Sequence, residues 1–238
     1  MIVKFFGINL FAFQHKSTTT MKTKLFLFAF ILLAGSGRAQ FLNDINGRPM
    51  FESGYIDTEG SPYFNDNWTG GFVISPKGKR YEYKKLKYDT YKDELEYEHA
   101  GALFRLSSEI SGFELADGQG TVFRNGFPAV DRQTKNSFYE VLYDGTTPFL
   151  KRIRTIIQQE KPYNAATTTK RFTTDETFYL LRNGALVRVK KDKKSILAQL
   201  EDQRPLLEKF IKDEDLNLSK IEDIERLLEQ YDAQKAGK

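Results

Sequence analysis

The chain contains no cysteine, and that absence excludes disulfide scaffolds, thiol nucleophiles, zinc ribbons, iron–sulfur sites and the acylated cysteine of a bacterial lipoprotein. Histidine is nearly as scarce, with two in 238 residues. Only His99 lies beyond residue 39, so H-E-x-x-H and finger-type zinc sites cannot be assembled. A Ser-His-Asp triad finds no G-x-S-x-G elbow to supply its nucleophile. Nucleotide loops are missing too. Gly118-Gln119-Gly120 is followed by Phe123 where a dinucleotide loop needs its third glycine, and around Lys79 the P-loop pattern fails at Val73 and Arg80. No apolar run is long enough to span a bilayer comfortably.

What the N-terminus does have is an export pattern. Met21-Lys22-Thr23-Lys24 forms a cationic start, and Leu25 to Ala34 (LFLFAFILLA) is an apolar run of signal-peptide length. Small residues at Gly37 and Ala39 then place a cleavage between Ala39 and Gln40. Residues 1–20 read as an upstream extension, 21–39 as the signal peptide, and Gln40 as the first residue of the exported protein.

Charge changes meaning with that cut. The formal net charge of +4 includes Lys4, Lys16, Lys22, Lys24 and Arg38, with no Asp or Glu among them. Removing those five cations leaves −1 on the remaining 199 residues, so a basic-protein argument for nucleic-acid binding fails. Hydrophobic residues at 40% and charged residues at 29% suit a chain that builds one substantial core.

All 12 tyrosines and the single tryptophan lie after residue 39, among segments punctuated by Gly, Asp and Asn, which points to antiparallel sheet. Phe41 to Gly71 reads as loop and turn with short extended pieces. Gly71 to Ser75 reads as a strand ended by Pro76-Lys77-Gly78. In Tyr81 to His99, pairing Lys87 with Glu96 sets Leu86 against Tyr97, Tyr88 against Leu95 and Lys85 against Glu98. One face is then apolar and the other a ladder of opposite charges, with Thr90 to Asp93 as the turn. A one-residue slip would push Lys and Glu into the core, so the register is well specified. A second hairpin turns on Asn183-Gly184, where positive φ is cheap. It sets Leu180 against Val187 and Phe178 against Val189, with Leu181, Leu186, Tyr179 and Arg188 on the other face.

Ala102 to Leu106, Gly112 to Leu115, Thr121 to Phe123, Ser137 to Tyr143 and Phe149 to Ile157 supply further strands, and no helical period interrupts them. After Val189 the character changes. Ser195 to Leu200 predicts a short helix. Pro205 opens a second, with a stripe of Leu206, Leu207, Phe210 and Ile211. Ser219-Lys220-Ile221-Glu222 has the form of a capping box for a third, with Ile221, Ile224, Leu227, Leu228 and Tyr231 as its stripe. The expected fold is mainly β (α+β): an antiparallel meander over 40–190, with a C-terminal helical segment over 191–238 packed on it.

Carboxylates are what remain for catalysis. Glu94, Glu96 and Glu98 alternate on one face, but opposing lysines keep such groups ionised. Asp57, Glu59, Asn65, Asp66 and Asn67 make an oxygen-rich cluster around Trp68 whose spacing fits no EF-hand. RYEYKKLKY (Arg80 to Tyr88) interleaves aromatic and basic residues, a pattern that sheet alternation also produces. Asn67-Trp68-Thr69 and Asn217-Leu218-Ser219 match the glycosylation acceptor. No catalytic residue, cofactor or metal ligand is assigned. A ligand face is expected around Trp68, Asp66, Tyr81 and Tyr83.

Taken together, cleavage before Gln40, GSPYFNDNWTGG (Gly60 to Gly71), LKYDTYKDELEYE (Leu86 to Glu98) and KKDKKSIL (Lys190 to Leu197) resemble a group of small secreted proteins common in Bacteroidota. The resemblance covers most of the exported chain. It implies export and no active site. The expectation is therefore a periplasmic or extracellular protein, not an integral membrane protein after signal cleavage. It acts as a binding or structural module of the cell envelope on a glycan, lipid or envelope protein, with no nucleic-acid partner. The alternative is a carboxylate-dependent hydrolase of an extracellular polymer such as a polysaccharide.

Overall fold

Alternating side chains and tight turns build one sheet from β1 (Arg48–Pro49), β2 (Thr58–Glu59), β3 (Thr69–Ile74), β4 (Arg80–Asp89), β5 (Glu94–His99) and β6 (Ala102–Leu106). It continues through β7 (Gly112–Leu115), β8 (Thr121–Arg124), β9 (Tyr139–Tyr143), β10 (Phe149–Glu160), β11 (Thr169–Arg182) and β12 (Ala185–Val189). The computed structural model describes residues 48–49, 55–106, 110–161 and 168–236, all within the unit Gln40–Lys238. The upstream extension, the signal segment and its cleavage site lie outside the described residues.

The spatial order is β1-β6-β5-β4-β3-β7-β8-β9-β10-β11-β12, with β2 pairing β11 in parallel. Apart from that pair every ladder is antiparallel. From β3 to β12 the meander is broken once, where the chain leaves β6 and returns to pair β7 with β3. Both hairpins take the register read from the sequence. Leu86 faces Tyr97, Lys87 faces Glu96 and Tyr88 faces Leu95. Leu180 faces Val187 and Phe178 faces Val189 across a turn in which Asn183 and Gly184 have φ of 51° and 77°.

The sheet curves until β10 reaches the end of β4. The Thr155 N–H donates to the Thr90 carbonyl at 3.3 Å, and the two threonine hydroxyls are 2.7 Å apart. That closure brings Ile153 of β10 into a core made by β3 to β8 with Val73, Tyr83, Leu86, Tyr88, Leu95 and Phe113. Aromatic contacts dominate it: Phe113 stacks on Phe123 at 4.8 Å, and Tyr88 leans on both, at 5.1 and 4.9 Å.

Gly71 sits in β3 between β4 and β7, where a Cβ would fall well inside 3.0 Å of the Glu114 carbonyl oxygen. The neighbouring strand's backbone is the obstacle, so it cannot rotate away as a side chain would. Gly71→Ala is expected to cost about 1–3 kcal/mol by overpacking and to lower the melting temperature by about 5 °C. An unchanged thermal melt would show that the strands can separate there.

Three helices follow the last strand: α1 (Lys193–Leu197), α2 (Arg204–Asp213) and α3 (Ile221–Ala236), with a single 3₁₀ turn, Glu201–Gln203, before α2. Asp192 caps α1 by accepting the Ser195 N–H at 2.7 Å. The helices lie on one face of β9 to β12, where Ile196, Leu207, Ile224, Leu227, Leu228 and Tyr231 form one core with Phe149, Phe178, Leu180 and Val189. The mainly β fold with a C-terminal helical cap is thus the one the chain adopts.

Two local expectations need correction. Leu206 is 51% exposed, because α2 turns its Leu207 and Ile211 edge to the sheet and leaves Leu206 on the outer flank. The Ser219 hydroxyl donates to the Asn217 carboxamide at 2.8 Å rather than forming a capping box, and the Asn217 N–H donates to Asp223. Among the described residues no helix is long and apolar enough to cross a membrane.

Candidate functional site

The β4–β5 hairpin leaves the outer face of the sheet with Lys87 and Asp89 on β4 opposite Glu96 and Glu94 on β5. Segment 55–68 lies over this face. It is fixed by backbone bonds, with the Phe64 N–H donating to the Tyr88 carbonyl and the Thr90 N–H to the Pro62 carbonyl, each at 2.9 Å. Pro62 has no N–H to leave unpaired at that packed position.

Two tyrosines of the segment reach down to buried carboxylates. The Tyr55 hydroxyl donates to Asp89, whose other oxygen accepts the N–H groups of Tyr91 and Lys92 at 2.9 Å each. The Tyr63 hydroxyl donates to Glu96 at 3.1 Å. Arg105 of β6 closes an ion pair with Glu94 at 2.6 Å and a longer one with Glu96 at 3.6 Å. Asp89 is fully buried and Glu96 nearly so. Burial pushes the Glu96 carboxyl above its ordinary range and the Asp89 charge adds to this, while the Tyr63 hydroxyl and Arg105 pull it back without cancelling the rise.

The charge ladder read from the sequence is present in part. Lys85 pairs with Glu98. Lys87 instead turns to aromatic faces, with its ammonium 4.2 Å from the Tyr63 ring centroid and 5.6 Å from that of Trp68. Tyr55, Thr58, Ser61, Tyr63, Asp66, Lys87 and Phe172 then line an open cleft of about 500 Å³. Tyr55 meets Phe172 edge-on at 5.2 Å. The wall is thus aromatic, with hydroxyls, one exposed carboxylate and one cation along it.

Of the four residues expected to share a ligand face, the structure groups two. Asp66 lines the cleft, and Trp68 shares the Lys87 ammonium with Tyr63. Tyr83 is 3% exposed and belongs to the core, with Tyr81 half-buried against it, so these two stand on the inner side of β4. The reason is a register shift between Gly71 and Thr69, which puts Tyr83 and Leu86 on one side although they are three apart. Sequence reasoning missed Tyr55, Tyr63 and Phe172. Phe172 in particular is over one hundred positions from Tyr63, and only the parallel β2–β11 pairing brings segment 55–68 beside it. Of the oxygen-rich cluster, Glu59 pairs with Arg171 at 2.9 Å. Among the described residues no group of three acidic or histidine side chains is placed to hold a metal ion.

Because Glu96 holds its proton more tightly folded than unfolded, the folded state binds more protons just above pH 4.5, and stability falls as pH rises through that interval. Glu96→Gln keeps an acceptor for Tyr63 and removes this contribution. The expected result is a flatter dependence of melting temperature on pH between about 4.5 and 7. Some slope remains, since Glu140 is raised by burial as well. A slope equal to the parent's would remove Glu96 as its source.

Comparison with family models, with curated proteins and with solved structures gives no match for this chain.

Proposed function

We propose that this protein is an exported, non-enzymatic binding module of the cell envelope, and that the cleft between segment 55–68 and β4 holds a saccharide. The observation that carries the reading is the composition of the wall. Tyr55 and Tyr63 offer ring surface for sugar C–H faces with Phe172 packed behind Tyr55, while Thr58, Ser61, Asp66 and Lys87 offer hydrogen bonds to hydroxyls. Ligand clefts combine the same ingredients: mostly aromatic and apolar walls, a few placed polar groups, and volumes of about 300–1,000 Å³.

The hydrolase alternative needs a pair of carboxyl groups with oxygens free to act on a bond. Asp89 spends its oxygens on Tyr55 and backbone N–H groups, Glu96 is buried with one oxygen on the Tyr63 hydroxyl and the other 3.6 Å from Arg105, and Glu98 is paired with Lys85. Export rests on the N-terminal pattern, and N-terminal sequencing of secreted material should begin at Gln40.

Trp68 is the only tryptophan and stands beside the cleft, so its fluorescence reports occupancy. Titration with neutral chito-, cello- and malto-oligosaccharides is expected to give a saturable shift for at least one series. Tyr63→Ala and Lys87→Ala should weaken it about tenfold each, as loss of roughly 1.4 kcal/mol implies. No shift at millimolar sugar would refute the reading, and release of shorter oligosaccharides would replace it with the hydrolase.

A further inference from the structure

The face of β11 opposite Phe172 carries a second concavity, of about 330 Å³, and its chemistry is different. Strand alternation puts Arg152 and Arg154 of β10, Asp175, Thr177 and Tyr179 of β11 and Arg188 of β12 on this side. The turn at 130–133 overhangs it and adds Arg132.

That turn is held down at two points. The Tyr179 hydroxyl donates to Asp131 at 2.8 Å, and Arg152 Nε donates to the Gln133 carboxamide at 3.2 Å. Asp131 itself has φ of 52°, a left-handed conformation that Asp tolerates better than most residues.

Arg152 is neutralised by Asp93 through two bonds, at 3.1 and 2.8 Å. Arg132, Arg154 and Arg188 are different: among the described residues none of their guanidinium groups donates a hydrogen bond or closes an ion pair. Asp175 is the registered cross-strand neighbour of Arg154, yet the two form no ion pair. Three such guanidiniums against the carboxylates of Asp131 and Asp175 leave an excess of one positive charge at the concavity.

We infer that this concavity is a binding site for a single acidic group, a carboxylate, sulfate or phosphate, carried either by a small solute or by one unit of an acidic glycan. Guanidinium forks match planar or tetrahedral oxyanions in two-point contacts, and an excess of one charge suits one such group rather than a polyanion. A nucleic-acid strand fits poorly, because the one aromatic ring here, Tyr179, is 1% exposed and presents no stacking platform. A bilayer surface fits poorly as well, since the arginines surround a recess. The inference goes beyond the saccharide reading and does not depend on it.

Digalacturonate and its methyl ester share a backbone and differ in charge, so calorimetric titration of the purified protein with each, and with inorganic sulfate, tests the site. Digalacturonate should bind, the ester about tenfold more weakly or not at all, and rising NaCl should weaken binding. Arg154→Ala and Arg188→Ala should each cost about tenfold in affinity, and Asp175→Asn should tighten it, a gain that no merely structural role produces. All three residues are exposed, so the variants should keep the parent's melting temperature. Sulfate binding without digalacturonate binding assigns the site to small anions and upholds the oxyanion chemistry. Equal binding of acid and ester, no binding of any anion at millimolar concentration, unchanged affinity in the arginine variants, or tighter binding of a single-stranded oligonucleotide overturns the inference. Trp68→Ala separates the two sites. It should leave anion affinity unchanged, and if it alone abolishes anion binding, the anion sits in the aromatic cleft and the arginine site falls.

Discussion

Arg152→Met should lower stability by about 3–5 kcal/mol, a fall in melting temperature of roughly 10 °C for a domain of this size. The side chain is 6% exposed. Its guanidinium donates to the Tyr88 hydroxyl at 3.1 Å, the Phe138 carbonyl at 2.9 Å and both Asp93 oxygens. Asp93 is positioned for this by φ of 61° at the close of the β4–β5 turn. The interaction therefore ties that turn to the sheet's far half, where β10 closes over the core. Removing the cation leaves the Asp93 carboxylate facing the Tyr88 hydroxyl with its counter-charge gone, and it leaves the Phe138 carbonyl unpaired. The double variant Arg152→Met/Asp93→Asn should be more stable than Arg152→Met alone, because the uncompensated charge is then absent. Urea unfolding of the four proteins measures this coupling. A single variant within 1 kcal/mol of the parent, or a double variant less stable than either single, would contradict the assignment of Arg152 as the latch (about 1 kcal/mol being ordinary for one substitution).

Arg152 also marks where the sequence stops being informative. In KRIRTI (Lys151 to Ile156) alternation correctly assigns β10, but nothing local says that one arginine is buried against a turn about sixty positions upstream while Arg154 stays exposed. The hairpins were legible because their information is local: a period of two, opposed charges, and Asn183-Gly184 at the turn. The same holds for the stripe of α3, whose Ile224, Leu227, Leu228 and Tyr231 are all fully buried. The return from β6 to β7 beside β3, and the curvature that brings Thr155 to Thr90, depend on contacts between distant segments. So does the aromatic cleft. Trp68 and Asp66 stood out as an unusual cluster, but Tyr81 and Tyr83 look equivalent to them until the register shift at Gly71 assigns the pair to the core. The arginine concavity left no signal either, because four arginines on two strands and one turn read separately as ordinary surface residues.

A chain ending at Lys190 should not give a soluble product. The helices beyond it cover Phe149 and Leu180, both fully buried, and Phe178 and Val189, nearly so. Uncovering them leaves a contiguous apolar face on β10 to β12, of the kind that drives association. Asp232 adds a polar fastening to this apolar contact: its carboxylate accepts the Thr147 N–H at 3.1 Å and the Tyr143 hydroxyl at 3.0 Å. Burial opposes its ionisation, but bonds from Thr146, Thr147 and Tyr143 outweigh that and hold the carboxyl below its ordinary range. A carboxyl held down in this way stabilises the folded chain above its unfolded value near 3.8, and that contribution is lost as pH falls lower. Point substitutions grade the effect. Leu227→Ala, at a fully buried position, should cost about 2–5 kcal/mol, whereas Leu206→Ala on the exposed flank of α2 should stay within about 0.5 kcal/mol of the parent. A soluble, monodisperse product ending at Lys190, seen by size-exclusion chromatography with the parent's sheet spectrum, would mean that the sheet holds together without the helices that bury its face.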